Sequence, residues 1–279
     1  LGISMLLSGA FSGSASAGSL PGSSEKAQNS GNPESPKASL ENAGQAPSAP
    51  PLSEAEAIHI ADVEDLLSFA KCCTLDTWSQ NKVFVLDNDL DLSGTDFSPI
   101  PTFGGCFLGQ GHTISGISLE GGSSNIGLFR YVQESGQIYQ LNVSGIVQAP
   151  GSHSGLAMLV GSNAGYLSDC HCTGNITGGD RVGGIAGTNE LTGIISGCST
   201  NGLVNGRHLA GGIAGCNEGC ITGSVNRSLV NFTAEHNSID LSEINTDTTI
   251  TDLLTTEDAA SVTDIGGIAG SNPGIIKAC

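Results

Sequence analysis

Asp87, Asp89 and Asp91 alternate with Asn88, Leu90 and Leu92 in the stretch DNDLDLSG at 87–94. Carboxylates at every second position open many Ca2+ loops, whose pattern continues with Gly at the sixth place and a bidentate Glu at the twelfth. Here the sixth residue is Leu92 and the twelfth is Ser98. On a strand the alternation sends Asp89 and Asp91 to solvent and Leu90 and Leu92 to the core. The stretch is therefore expected to be a solvated strand with at most weak Ca2+ binding, and no other cofactor is expected.

Cys170-His171-Cys172 offers ligands suited to zinc. A structural zinc site needs four ligands, usually as separated pairs. A strand puts the two thiols on one face and the imidazole on the other, and Cys216 and Cys220 complete no recognised spacing. GSHSG at 151–155 has His153 where a nucleophile elbow requires Ser. No HExxH occurs, and GQGHTISG at 109–116 precedes no helical pattern that could cradle a phosphate. Arg181 and Arg207 are the nearest approach to basic residues aligned on neighbouring repeats. Four N-x-S/T sequons begin at Asn142, Asn175, Asn226 and Asn231. No catalytic constellation emerges, and the chain is expected not to be an enzyme.

The elements that position these residues follow from a repeat. GGIAG occurs at 183–187, 211–215 and 266–270, and MLVGSN at 158–163 is a looser copy. The final glycines, Gly161, Gly187, Gly215 and Gly270, are spaced by 26, 28 and 55 residues. An earlier unit places Arg130 in the same column, 31 residues before Gly161. A period of 26–31 residues with short apolar runs and Gly/Asn/Ser breaks predicts a β-solenoid, one coil per repeat. The paired glycines Gly183–Gly184, Gly211–Gly212 and Gly266–Gly267 are expected to allow a sharp turn and close approach of coils. Two residues beyond each final glycine stands Asn163, Asn189, Asn217 or Asn272. Stacked along the axis these predict an amide ladder. Cys170, Cys198, Ser224 and Cys279 form a further column, read as buried, mostly reduced thiols; disulfides between stacked cysteines are the alternative.

The quoted repeats, with LDNDLDLSGTDFSPIPTFGGCFLGQGHTISGISL and IGLFRYVQESGQIYQLNVSG upstream, resemble the GLUG-motif repeats of bacterial secreted and surface proteins over about residues 58–279. The resemblance implies a right-handed parallel β-helix, some relatives being similar to the non-catalytic region of IgA1-protease-type metalloendopeptidases. It implies no catalytic residue within the repeats.

The rest of the chain fits that organisation. Residues 1–17 read as the apolar core and Ala-Ser-Ala cleavage region of a truncated signal peptide. Residues 18–56 are Ser/Gly/Pro/Ala-rich and are expected to be a disordered linker. Residues 57–279 are expected to form the β-helix, incomplete at its C-terminus and continuing into further domains. Val63, Leu66, Leu67, Phe69 and Ala70 recur at helical spacing after Asp62, predicting a capping helix at 63–73. Residues 228–262 carry seven acidic side chains and no Lys or Arg. They read as an insertion in one coil, two degenerate coils being the alternative.

With 27 acidic against 9 basic residues and a formal charge of −18, the surface repels phosphate backbones, so nucleic acid is not an expected partner. No segment is apolar enough for a membrane span. The reading is a secreted, cell-surface module acting as adhesin, stalk or binding surface, with a host or cell-wall glycan or protein as ligand. The alternatives are a carbohydrate-active β-helix enzyme, by fold analogy, or the non-catalytic region of a surface metalloprotease.

Overall fold

The computed structural model describes residues 57–121, 124–149, 153–231 and 262–279. The signal-peptide and linker expectations, and 232–261 of the acidic stretch, lie outside them. What is described is a parallel β-solenoid. After β1 (Ile58–Ile60) comes a single helix, α1 (Val63–Cys72). The first coil follows as β2 (Val83–Leu86), β3 (Leu90–Asp91) and β4 (Ile100–Phe103), the second as β5 (Cys106–Leu108), β6 (Thr113–Glu120) and β7 (Phe129–Val132). The third is β8 (Gln137–Tyr139), β9 (Asn142–Gln148), β10 (Ser154–Leu156) and β11 (Val160–Asn163). The fourth is β12 (Tyr166–Ser168), β13 (His171–Gly183) and β14 (Ala186–Asn189); the fifth is β15 (Ile194–Ser196), β16 (Ser199–Gly211) and β17 (Ala214–Asn217). Finally come β18 (Cys220–Thr222), β19 (Val225–Val230), β20 (Thr263–Gly266), β21 (Ala269–Ser271) and β22 (Ile275–Lys277).

Each coil contributes to three sheets. Sheet A runs β1-β2-β5-β8-β12-β15-β18-β22, sheet B β3-β6-β9-β13-β16-β19, and sheet C β4-β7-β11-β14-β17-β21. Strands β10 and β20 extend sheet B by pairing with β13 and β16. Identical positions stack from coil to coil. On sheet A, Phe84, Phe107, Ile138, Leu167, Ile195 and Ile221 form one fully buried ladder.

The interior tapers. Phe69, Trp78, Phe84, Phe103, Phe107 and Phe129 pack ring against ring at the N-terminal end, with centroids 4.8–6.3 Å apart. Along sheet C the inner ladder shrinks from Ile100 and Phe129 through Val160 to Ala186, Ala214 and Ala269. Six of the chain's aromatic residues thus sit together at the N-terminal end. Helix α1 closes that end. Asp62 accepts from Asp65 N at 2.9 Å while Asp65 Oδ2 accepts from Ala61 N at 3.0 Å, a reciprocal N-cap. Leu66, Phe69 and Ala70 face the core, whereas Leu67, expected on the same face, is 37% exposed.

The glycine columns have separate causes. A Cβ on Gly187, Gly215 or Gly270 would lie 2.3–2.4 Å from backbone of Gly155, Arg181 or Leu209, the positive-φ corner residues of the preceding coil. A Cβ on Gly161 would meet Asn125 in the same way, at 2.4 Å. Gly183 and Gly211 are held against the carbonyl oxygens of Ala186 and Ala214, and Gly266 against that of Ala269. The expected close approach at Gly184 and Gly212 is present, against the carbonyl oxygens of Gly212 and Gly267, but Gly267 has nothing within 4 Å among the described residues. A further column, Gly145, Gly174 and Gly202, went unnoticed in the sequence. The missing Cβ of Gly174 and Gly202 faces the carbonyl of the preceding member at 2.0 and 2.1 Å.

Strands β19 and β20 both pair with β16, and Ala214 pairs directly with Ala269. The long spacing is therefore one coil that leaves after Asn231 and returns at Thr263. Ser228–Val230, placed in the insertion on sequence grounds, belong to β19. At the departure point the Asn231 carboxamide replaces a strand, accepting from Gly206 N and donating to Gly206 O, each at 2.7 Å.

Candidate functional site

The Asn column forms a continuous chain of amides inside the solenoid. Asn163 Nδ2 donates to Asn189 Oδ1 at 2.8 Å, Asn189 to Asn217 at 2.7 Å and Asn217 to Asn272 at 2.6 Å. The first three are fully buried. The cysteine column repeats a donor pattern: Cys170, Cys198 and Cys279 each point Sγ at a carbonyl of the adjacent coil, Ile138, Leu167 and Ile221 respectively, at 3.8–3.9 Å. Ser224 lies in register and accepts from Cys198 N at 3.2 Å. All nine cysteines are free thiols, and seven are buried; Cys72 and Cys279 are exposed, the latter against the expectation of a core position. Burial pushes Cys73 up to about 12 and Cys106 to about 11, and raises Cys172 and Cys198 strongly. Asn163, Asn189, Asn217, Cys170 and Cys198 are interior structure, whereas Asn272 and Cys279 are exposed.

The acidic stretch at 87–94 serves its own turns. Leu90 and Leu92 are buried, and Asp89 and Asp91 are exposed. Asp89 accepts from Thr113 N at 2.8 Å and pairs with His112 at 3.1 Å, and that backbone donor, then the imidazole, holds its carboxyl below the ordinary value. Asp91 is lowered likewise, first by the Ser93 hydroxyl and then by Ser93 N, which donates at 2.9 Å. No Lys or Arg joins this pair among their described partners. Arg181 and Arg207 do not align: Asp180 pairs with His208, so Arg181 stands level with Leu209 at a corner where its φ is +53°. Arg181 and Arg207 thus form no basic column.

The broadest outward surface is sheet B, whose strands β13 and β16 are 13 residues long. Its outward side chains form rows across β9, β13, β16 and β19. One row is Asn142, His171, Ser199 and Val225; the next is Ser144, Thr173, Asn201 and Arg227; the third is Ile146, Asn175, Leu203 and Leu229. Coils lie about 4.8 Å apart, so amides and hydroxyls recur at that interval. Ile146, Val225 and Leu229 remain 43–53% exposed, the apolar element of the face.

At the corner between sheets A and B, Gln110, Gln140 and Asp169 take positive φ (49–53°) in successive coils, and Gly197 and Gly223 continue the column. Gln110, Gly111, Gln140, Asn142, Asp169 and His171 line a cavity of about 280 Å³ beside the first row of sheet B. On the opposite side, Glu190 accepts from Ser162 Oγ at 2.5 Å and sits near Tyr131, whose phenol is raised by burial and then by that carboxylate. A second cleft, of about 380 Å³, lies between α1 and residues 96–101, walled by Leu67, Pro99 and Pro101. No helix among the described residues is long and apolar enough to cross a membrane.

No protein-family model matches the chain. It is 31% identical over 133 residues to halomucin of Haloquadratum walsbyi, an alignment covering 42% of this chain and 1% of that protein. A crystal structure of a candidate immunoglobulin A1 protease from Bacteroides ovatus superposes with a TM-score of 0.50 at 20% identity, covering 62% of this chain and 57% of that one. The chain therefore spans only part of each, and the structural likeness establishes the fold: a parallel β-solenoid built from sequence repeats.

Proposed function

We propose that this chain is a non-catalytic repeat module of a secreted or cell-surface protein, of GLUG type, that binds a glycan along the outer face of sheet B. The observation that carries the reading is the composition of that face. Asn, Thr and Ser recur on the outward side of three neighbouring strands, β9, β13 and β16, and β19 adds Arg227 beside exposed Ile146, Val225 and Leu229. Sugars present alternating hydroxyls, which both donate and accept, next to apolar ring faces. A rigid array of amides, hydroxyls and aliphatic carbons matches both. The similarity to halomucin, by name a mucin, supports a place outside the cell, and so does the signal-like start of the sequence.

The reading is tested by sedimenting the protein with insoluble polysaccharides (cellulose, chitin, β-glucan, peptidoglycan) while assaying for released reducing ends and unsaturated sugars. Retention that Leu229→Asp weakens, with no release of product, supports it. Product release overturns the non-catalytic reading, and failure to sediment with any polysaccharide overturns the glycan.

A further inference from the structure

The geometry points to a subsite for a neutral saccharide in the corner cavity formed by Gln110, Gln140, Asn142, Asp169 and His171. This rests on the glycan-binding reading and names where one sugar residue is anchored.

Three observations converge. First, three successive corner residues that carry side chains line the cavity. Positive φ at Gln110, Gln140 and Asp169 is uncommon for residues other than Gly, Asn and Asp, and Gly197 and Gly223 show that the turn itself does not require a side chain. Second, several polar groups there keep unused capacity. Asn142 donates Nδ2 to Gly111 O at 2.7 Å, which leaves Oδ1. His171 Nδ1 meets Ser199 Oγ at 2.7 Å, which orients the ring and leaves Nε2. Asp169 Oδ2 accepts from Ser168 Oγ at 2.9 Å, which leaves Oδ1 on the side of Gly197 in the next coil. Third, the walls carry amides, one carboxylate and one imidazole, with no Lys or Arg.

That set selects its ligand. Vicinal hydroxyls can donate to Asp169 and Asn142 and accept from the glutamine amides. An anionic sugar or phosphate meets an uncompensated carboxylate on a chain of net charge −18. A Ca2+ ion asks for six or more oxygens, more charged than these. An apolar ligand would strand every polar group. The cavity opens beside Asn142 and His171, which also begin the first row of sheet B, so a sugar held here directs its neighbours along that face.

The intact protein is titrated with soluble glucan, mannan and N-acetylglucosamine oligomers by calorimetry and saturation-transfer NMR. Asp169→Asn keeps a residue that tolerates positive φ, and Gln140→Gly removes an amide from a corner that suits glycine, so both variants fold. Each is expected to weaken binding of a responsive oligomer about tenfold, the loss of one or two well-placed hydrogen bonds. Leu229→Ser, at the far side of sheet B, should weaken it less. Equal binding by wild type and both corner variants, with loss in Leu229→Ser, overturns the subsite and leaves the glycan-binding face standing. Binding abolished by EDTA, or confined to uronic-acid oligomers, overturns the neutral-sugar assignment. If no oligomer binds while insoluble polysaccharide still sediments the protein, the subsite is likewise overturned; if neither occurs, the broader reading falls with it.

Discussion

At the scale of single residues, the interior polar groups decide stability. Asn189 sits in mid-ladder, accepting from Asn163 and donating to Asn217 and to Gly193 O at 3.1 Å. Replacing it by Ala leaves two buried amides with unmet hydrogen bonds. Asn189→Ala is expected to cost about 2–4 kcal/mol, measured by denaturant unfolding. The thiols give a pH dependence of definite sign. Cys73 and Cys106 have folded values raised to about 12 and about 11 from 9.0, and burial raises Cys172 and Cys198 well above their ordinary value. Above pH 9 the unfolded chain loses these protons and the folded chain keeps them. Stability is therefore full below pH 9 and declines as pH rises through the folded values. Thermal unfolding from pH 7 to 11 should show this decline. In the native protein at pH 7 a thiol reagent should label Cys72 and Cys279 and spare the seven buried cysteines.

Elements explain which glycines matter and which features the sequence conceals. Within the same GGIAG motif, a Cβ at Gly212 would lie 2.1 Å from Asn226 and 2.4 Å from Gly267 O, while one at Gly267 meets nothing within 4 Å. Gly212→Ala should therefore lower Tm by several degrees and Gly267→Ala leave it nearly unchanged; equal shifts would contradict the packing. The period, the three GGIAG copies and the Asn column were legible because one residue type answers one steric demand in each coil. The turn between sheets A and B was not, because Gln110, Gln140, Asp169, Gly197, Gly223 and Ala278 share a backbone conformation and no side-chain chemistry. The corner cavity was invisible for the same reason. Register explains why Arg181 and Arg207, the nearest approach to an aligned basic pair, do not stack: they differ by 26 residues where that pair of coils is offset by 28. Register also predicts how the acidic insertion can be removed. Three residues of β16 separate Val204, partner of Val230, from His208, partner of Thr263. Deleting 232–260 leaves three residues between the same ends, and the shortened chain should keep its β-type circular dichroism and cooperative unfolding.

For the molecule as a whole, the taper matters most. Contacts run chiefly between neighbouring coils, so stability is approximately a sum of coil and interface terms. Those terms are unequal. The N-terminal coils enclose a cluster of five phenylalanines and a tryptophan under a capped helix, while the later ones are filled by Ile, Ala and Asn. Burying an aromatic ring contributes about 1.5–3 kcal/mol, and burying an alanine methyl much less. Under the proposed role, a binding module held at a surface is pulled along its length. Under tension the alanine-filled coils should peel first, one at a time. Each coil of 26 or 28 residues pays out about 90 Å of slack, while the phenylalanine-packed coils hold. The gradient in side-chain size then acts as a graded shock absorber, and an optical trap should record its steps as a staircase climbing in force toward the helix.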